Sequence, residues 1–343
     1  MKKFVSILLV IMVLLTAGAC SKQESNLQKG DSSSKEAKSS KEESFEISYS
    51  TWASEGEAAY EGMKKFKEIV EEESNNRITV NLFPSSQLGS TEEQHEQLAM
   101  NTIQMMSSGN PGIKELEYLA LPYLMGSMDG WMEVLSSDIG EKFNKILLEK
   151  QGVVNIGFLP RNPRIVSCNK AIHTPEDFKG VKLRTPERDY YVETFKALGA
   201  NPTPLAFGEV YSALQTGVVD GQENPIETIY SAGFHEIQDY IIITNHIRKP
   251  AFVSANNEFI LGLSEKDREL VMRACDEGRK YAEELAAEQV VEFRKKIEEA
   301  GVKIIEPEIE PFVQATEKVR EKLGMEVWGK ETYNRIKEIG QKY

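Results

Sequence analysis

The 343-residue chain reads as an α/β protein. Its hydrophobic periodicity switches repeatedly between two and 3.6 residues, which places strands and helices in alternation. Apolar residues make up 40% of the chain, enough for the core of one large or two medium domains. No internal repeat breaks the alternation, and layered, largely parallel sheets are expected.

The N-terminus is separate chemistry. Lys2 and Lys3 precede an apolar run from Phe4 to Leu15, broken only by Ser6. Such a run is too short to span a bilayer but has the length of a secretory signal core, so export is expected. The following Leu15-Thr16-Ala17-Gly18-Ala19-Cys20 resembles the lipobox of bacterial lipoproteins, which makes residues 1–19 a signal and Cys20 a lipidation site. Acyl chains on Cys20 would hold the protein at a membrane without a spanning segment. Residues 20–44, dominated after Cys20 by Ser, Lys, Glu, Gln and Asp, have little to bury and read as a flexible tether.

Beyond the tether, 45–49 alternates as a strand, 57–73 carries a helical pattern, and 77–83 alternates again, giving a β-α-β unit. Further strands are predicted at 153–158, 164–172, 181–184, 204–207, 240–244, 252–255 and 302–305, with helical patterns between many of them. One helix is unusually long. From a cap at Ser264, with Asp267 three residues on, apolar residues recur at Leu270, Val271, Ala274, Tyr281, Leu285, Val290, Phe293 and Ile297 before Gly301 stops it. At 1.5 Å per residue it would be about 54 Å long, so it either braces two lobes or kinks at Gly278.

Charge narrows the function. A net charge of −13 argues against a nucleic-acid partner, and it requires any anionic ligand to be caught by a local cationic site. Cys20, Cys168 and Cys275 form no CxxC pair, so neither a disulfide framework nor a zinc site is indicated. There is no P-loop, HExxH, GxSxG or GxGxxG motif. His95, His173, His235 and His246 do not pair at metal-ligand spacing and read as ordinary surface or core residues. Carboxylates sit mostly on helical faces, where solvation is their default role. No cofactor or metal is called for, and a binding protein is favoured over an enzyme.

The segments Arg164–Ile172, Thr174–Pro186, Leu198–Tyr211 and Ala213–Pro225 together resemble the solute receptors of tripartite ATP-independent periplasmic (TRAP) transporters, the DctP family. They include Leu183-Arg184-Thr185-Pro186 and Gly221-Gln222-Glu223-Asn224-Pro225. Phe83–Gly89 and Leu121–Leu124 also look like family segments, so the likeness runs through the chain from about residue 45. It implies a two-lobed periplasmic-binding-protein fold of type II character, with crossover strands and a long helix spanning both lobes. The expected lobes are 45–161 with a return segment 250–289, and 162–249 with a return segment 290–343.

The resemblance also implies a site. Arg184 matches the arginine whose guanidinium forks onto a ligand carboxylate, a geometry that stays charged when desolvated and discriminates against neutral ligands. Arg164 matches a second arginine, with Arg161 its near competitor. Asn224 matches an amide on the same carboxylate, and Phe207 an aromatic on the ligand body. Asp220 and Glu223 are expected to hold the chain, since a carboxylate beside the ligand's would repel it. Where sialate-binding members carry acidic and amide residues, this chain reads Trp52, Thr91, Ser107-Ser108-Gly109-Asn110 and Glu187, which points away from sialate. Trp52, Asn110 and Glu55 could meet the ring and hydroxyls of a sugar acid, an aldonate or uronate, or line a tighter site for a dicarboxylate or keto acid.

The implied function is an extracytoplasmic receptor that captures an organic acid and delivers it to a sodium-coupled TRAP permease. It would be lipid-anchored on the outer face of the cell membrane, or periplasmic if the host has an outer membrane. The competing readings are an exported enzyme acting on sugar acids and a receptor that presents its ligand to a sensor kinase.

Overall fold

The computed structural model describes residues 43–343; the signal, Cys20 and most of the tether lie outside the described residues. In chain order the elements are β1 (Phe45–Thr51), α1 (Ala58–Glu73), β2 (Ile78–Phe83), α2 (Thr91–Ala99), β3 (Met105–Ser108), α3 (Lys114–Glu117), α4 (Met128–Leu135), α5 (Asp138–Gln151) and β4 (Val153–Leu159). After a connector come β5 (Arg164–Cys168), β6 (Lys182–Thr185), α6 (Asp189–Ala197), β7 (Asn201–Pro204), α7 (Val210–Gln215), β8 (Gly221–Asn224), α8 (Ile226–Ser231) and β9 (Tyr240–Ile247). A second connector leads to β10 (Ala251–Asn256), α9 (Asn257–Gly262), α10 (Glu265–Glu299), β11 (Lys303–Ile305) and α11 (Glu310–Gln341).

Two sheets result, ordered β2-β1-β3-β10-β4 and β11-β9-β5-β8-β6-β7. The expected parallel pairing holds except for one reversed strand in each: β10 runs antiparallel to β3 and β4, and β5 antiparallel to β8 and β9. Each is the strand the chain enters just after crossing from one sheet to the other, so the crossovers themselves impose the reversal. The β-α-β unit forms as read, with Phe45 opposite Ile78 and Ser50 opposite Phe83. Two predicted strands move. The 164–172 strand ends at Cys168, and the 204–207 strand lies instead at 201–204, with 207–209 turning as a 3-10 helix.

Helix α10 runs unbroken, so the alternative of a kink at Gly278 does not hold. Its N-cap forms as read, Ser264 Oγ accepting from Asp267 N at 3.1 Å. The helix buries Leu270, Val271, Ala274, Cys275 and Ala282 in the core of the first sheet, and Phe293 and Ile297 in that of the second. Gly278 serves close approach: a Cβ there would lie 2.5 Å from the Gly62 carbonyl oxygen of α1. Helix α11 is broken at Gly329, whose φ of 75° only glycine adopts freely, and the turn lays the Tyr333 ring against Gly324. Phe312 on its first part packs under the second sheet, while Leu323, Tyr333 and Ile336 join the cluster around Trp131.

Candidate functional site

The two connectors, 160–163 and 248–250, pass between the sheets beside a cavity of about 360 Å³. That is the lower end of the roughly 300–1,000 Å³ typical of small-ligand pockets. Its walls bring together Trp52, Asn110, Arg161, Arg164, Arg184, Phe207 and Asn224. Glu55 is exposed and is not brought to the cavity. Thr91 and Glu187 reach the wall; Ser107 does not, although Ser108 and Gly109 do.

Arg184 comes from β6, where alternation turns it inward between buried Leu183 and Thr185. It is 3% exposed. Its Nε and Nη2 both donate to Leu205 O, at 3.0 and 2.6 Å, and among the described residues it has no ion-pair partner. Burial pulls its pKa down to about 10, opposed by Glu223 and reinforced by Arg164. A buried guanidinium with one edge tied to a carbonyl and its Nη1 without a hydrogen bond has the chemistry to accept an oxyanion.

Arg164 is placed differently. Its Nε pairs with Glu223 Oε2, and its Nη2 donates to Glu223 Oε1 (2.8 Å), Glu223 O (2.7 Å) and Asn224 Oδ1 (2.9 Å). Burial alone would raise the Glu223 carboxyl, but Arg164 and His246 bring it down to about 2. The network continues through both neighbouring strands. Asn224 Nδ2 donates to Gln222 Oε1 (2.6 Å) and Gln222 Nε2 to Ser167 Oγ (2.8 Å), while His246 Nε2 lies 3.1 Å from Glu223 Oε2 and its Nδ1 2.8 Å from Thr244 Oγ1. Burial lowers the His246 pKa, opposed by Glu223 beside it. Thus Arg164 spends its fork on the protein's own carboxylate and anchors Asn224 beside Arg184. Asp220 Oδ2, away from the cavity wall, accepts from Lys182 N at the start of β6 (2.8 Å).

The sequence reading missed Lys249, Arg188, Tyr191 and Glu117, which also line the cavity, and Tyr190 behind Lys249. Arg188 pairs with Glu92 and lies 3.0 Å from Glu117 Oε1. Lys249, 6% exposed, donates to Tyr190 Oη at 2.8 Å. Arg161 stacks its guanidinium 4.4 Å from the Trp52 ring centroid. Among the described residues Arg161, Arg184 and Lys249 have no ion-pair partner, so a chain of net charge −13 holds a local excess of positive charge here. Asn110 is held by its own loop, its Oδ1 accepting from Gly112 N (2.9 Å), and His95 Nε2 meets Asn110 O at 2.9 Å. The Phe207 ring leans edge-on against Phe234.

Residues 49–326 match the family described as bacterial extracellular solute-binding protein, family 7 (DctP). The chain belongs to this family. Among its relatives, a solute-binding protein of Roseobacter denitrificans is 35% identical over 257 residues, covering 74% of this chain and 79% of that protein. The crystal structure of that TRAP periplasmic solute-binding protein, with bound L-galactonate, superimposes with a TM-score of 0.79 at 30% identity, covering 87% of this chain and 99% of the other. A TRAP periplasmic solute-binding protein of Anaerococcus prevotii, solved with D-glucuronate, gives 0.79 at 26% identity, with 87% and 99% covered. The sialic acid-binding periplasmic protein of Vibrio cholerae is 31% identical over 267 residues, 77% of this chain and 83% of that protein. The DctP chain is therefore an extracytoplasmic solute-binding protein of the TRAP class. Among its described residues no helix is long and apolar enough to cross a membrane.

Proposed function

We propose that this DctP-family receptor captures a sugar acid, an aldonate or uronate, by its carboxylate on Arg184 and passes it unchanged to a sodium-coupled TRAP permease. The observation that carries the reading is the desolvated Arg184 guanidinium, which faces the cavity without a carboxylate of its own. Its Nε–Nη2 edge is taken by Leu205 O, so the ligand approaches from the Nη1 side. Asn224, fixed by Arg164, supplies the amide next to it. Hydroxyls meet Ser86, Thr91, Ser108 and Asn110 on the opposite wall, and Trp52 and Phe207 offer ring faces to the ligand body. Relatives solved with L-galactonate and D-glucuronate support this ligand class.

The proposed lobes are 45–161 with 250–289, and 162–249 with 290–343, the last turns of α11 returning to the first. Ligand contacts from both lobes favour the closed state, because a ligand shifts a hinge equilibrium only by its differential affinity. The lipobox-like Leu15–Cys20 supports a lipid anchor, and a Cys20→Ser chain should then fail to take up labelled palmitate in cells that lipidate the wild type.

A thermal-shift screen of the full-length chain over aldonates, uronates, dicarboxylates, keto acids and neutral sugars tests the reading. A ligand at 100 times its Kd adds about 2.7 kcal/mol of stability, which at this size is a shift of roughly 4 °C. A shift by neutral sugars alone, or product formed from the bound acid, would refute it.

A further inference from the structure

We infer that the cavity has a second anion subsite, made by Arg161 and Lys249, and that the preferred ligand is a hydroxylated acid with an acidic group at each end. This rests on the receptor reading above and names its substrate more closely. Arg161 lies on the first connector between the sheets and Lys249 on the second, and both line the cavity. They converge on one notch: a Cβ placed on Gly109 would lie 2.8 Å from Arg161 Nη1 and 3.9 Å from Lys249 Nζ. Any larger residue at 109 would fill the space between them.

Among the described residues neither cation has an ion-pair partner. Arg161 Nε is buried without a hydrogen bond, and its guanidinium rests on the Trp52 ring. Lys249 Nζ has the Tyr190 hydroxyl and the faces of Tyr190 and Tyr191 at 5.5 and 5.4 Å, but no carboxylate. The acids nearest Arg161 are committed elsewhere. Glu227 accepts from Asn162 N (3.1 Å) and Nδ2 (3.0 Å), and Glu57 from Ser54 N (3.1 Å) and Ser231 Oγ (2.7 Å). Glu117, within the field of Lys249, is paired with Arg188.

Two cations brought together under a protein surface repel each other, and burial without a counter-charge is costly to both. An acid with one carboxylate satisfies Arg184 and leaves this pair as it was; a second acidic group answers both. The charges on Arg184 and on the pair are separate. The main charges felt by Arg184 are Glu223 and Arg164, whereas Lys249 feels Glu117, Arg164 and Arg161. Arg164 acts on both, its own charge already answered by Glu223. Ser86, Thr91, Ser108 and Asn110, which also line the cavity, suit hydroxyls rather than methylenes.

Titration calorimetry on the full-length receptor with two matched pairs, galactonate against galactarate and gluconate against glucarate, tests the subsite. Within each pair only the terminal alcohol is exchanged for a carboxylate. For the pair that binds, the diacid should bind at least tenfold tighter than the monoacid. Arg161→Gln and Lys249→Met should each weaken the diacid at least tenfold more than the monoacid and so remove that preference, and Lys249→Arg should keep it. A monoacid bound as tightly as its diacid, or variants that weaken both alike, would overturn the inference while leaving the receptor reading intact. If no acid of either pair binds, or if Arg184→Ala binds them as wild type does, the receptor reading falls and the subsite with it.

Discussion

Replacing Arg184 with methionine probes the site in both of its states. The guanidinium is buried without a counter-charge, and burial brings its pKa down to about 10. That fall corresponds to about 3 kcal/mol against the charged form. Methionine has a similar reach and no charge, so the empty receptor is relieved of this cost. It loses the two hydrogen bonds to Leu205 O, at about 1 kcal/mol each. The balance leaves the empty variant about 1 kcal/mol more stable than wild type, a rise in Tm of about 1–2 °C. With ligand the sign reverses. Removing one partner of a buried charge pair costs about 3–5 kcal/mol, so affinity should fall at least ~100-fold. Scanning calorimetry of protein stripped of ligand by unfolding and refolding measures the first quantity, and titration calorimetry the second. An empty variant that melts several degrees below wild type, or one that binds the acid within threefold of wild type, would refute the reasoning.

Two further outcomes follow from the scaffold. Gly278→Ala drives a Cβ into the Gly62 carbonyl of the facing helix. The overpacking, about 1–3 kcal/mol, should outweigh the gain of up to about 1 kcal/mol in helix propensity, whereas Gly262→Ala, with open space around it, should not destabilise; urea unfolding compares them. Burial pushes the Glu57 carboxyl up to about 6, against the pull of Ser231. The folded chain therefore holds a proton that the unfolded chain has already released, a contribution fully present below about pH 4.3 and lost as pH rises through 6, worth about 2 kcal/mol. Glu57→Gln should flatten that part of the stability profile between pH 4.5 and 7, and identical profiles for the two proteins would contradict the assignment.

The legible parts of the fold were those in which pattern and packing agree. The β1-α1-β2 unit alternates cleanly because one side of each element faces the core, and α10 announced itself by the Ser264 cap and its apolar spacing. Strands β3 and β8 were hidden. Met105-Met106-Ser107-Ser108 and Gly221-Gln222-Glu223-Asn224 are buried at every position, so no alternation marks them, and β8 carries polar residues of low strand propensity. The polar side chains of β8 are affordable through Ser167 and Arg164 of β5 and His246 of β9, partners a linear sequence does not display. The same limit applies to the site. Resemblance brought Arg184, Arg164 and Asn224 to one place, but not the fact that Arg164 is already answered by Glu223, nor that His246 backs that pair. Lys249 had no local signal; Arg248-Lys249-Pro250 reads as an exposed connector, and only the packing of Tyr190 and Tyr191 shows the lysine to be inside.

Helix α10 is seated in the interior of both halves of the molecule, through Leu270 to Ala282 at one end and Phe293 and Ile297 at the other. A rod clamped at both ends transmits torque. The halves cannot swing apart about the two connectors unless this 35-residue helix flexes or Phe293 is levered out of its socket. Helix α11 bridges the halves too, through Phe312 in one core and Leu323, Tyr333 and Ile336 in the other, so any parting of the jaws must strain both rods, and mutations on their solvent sides, far from any ligand, should retune it.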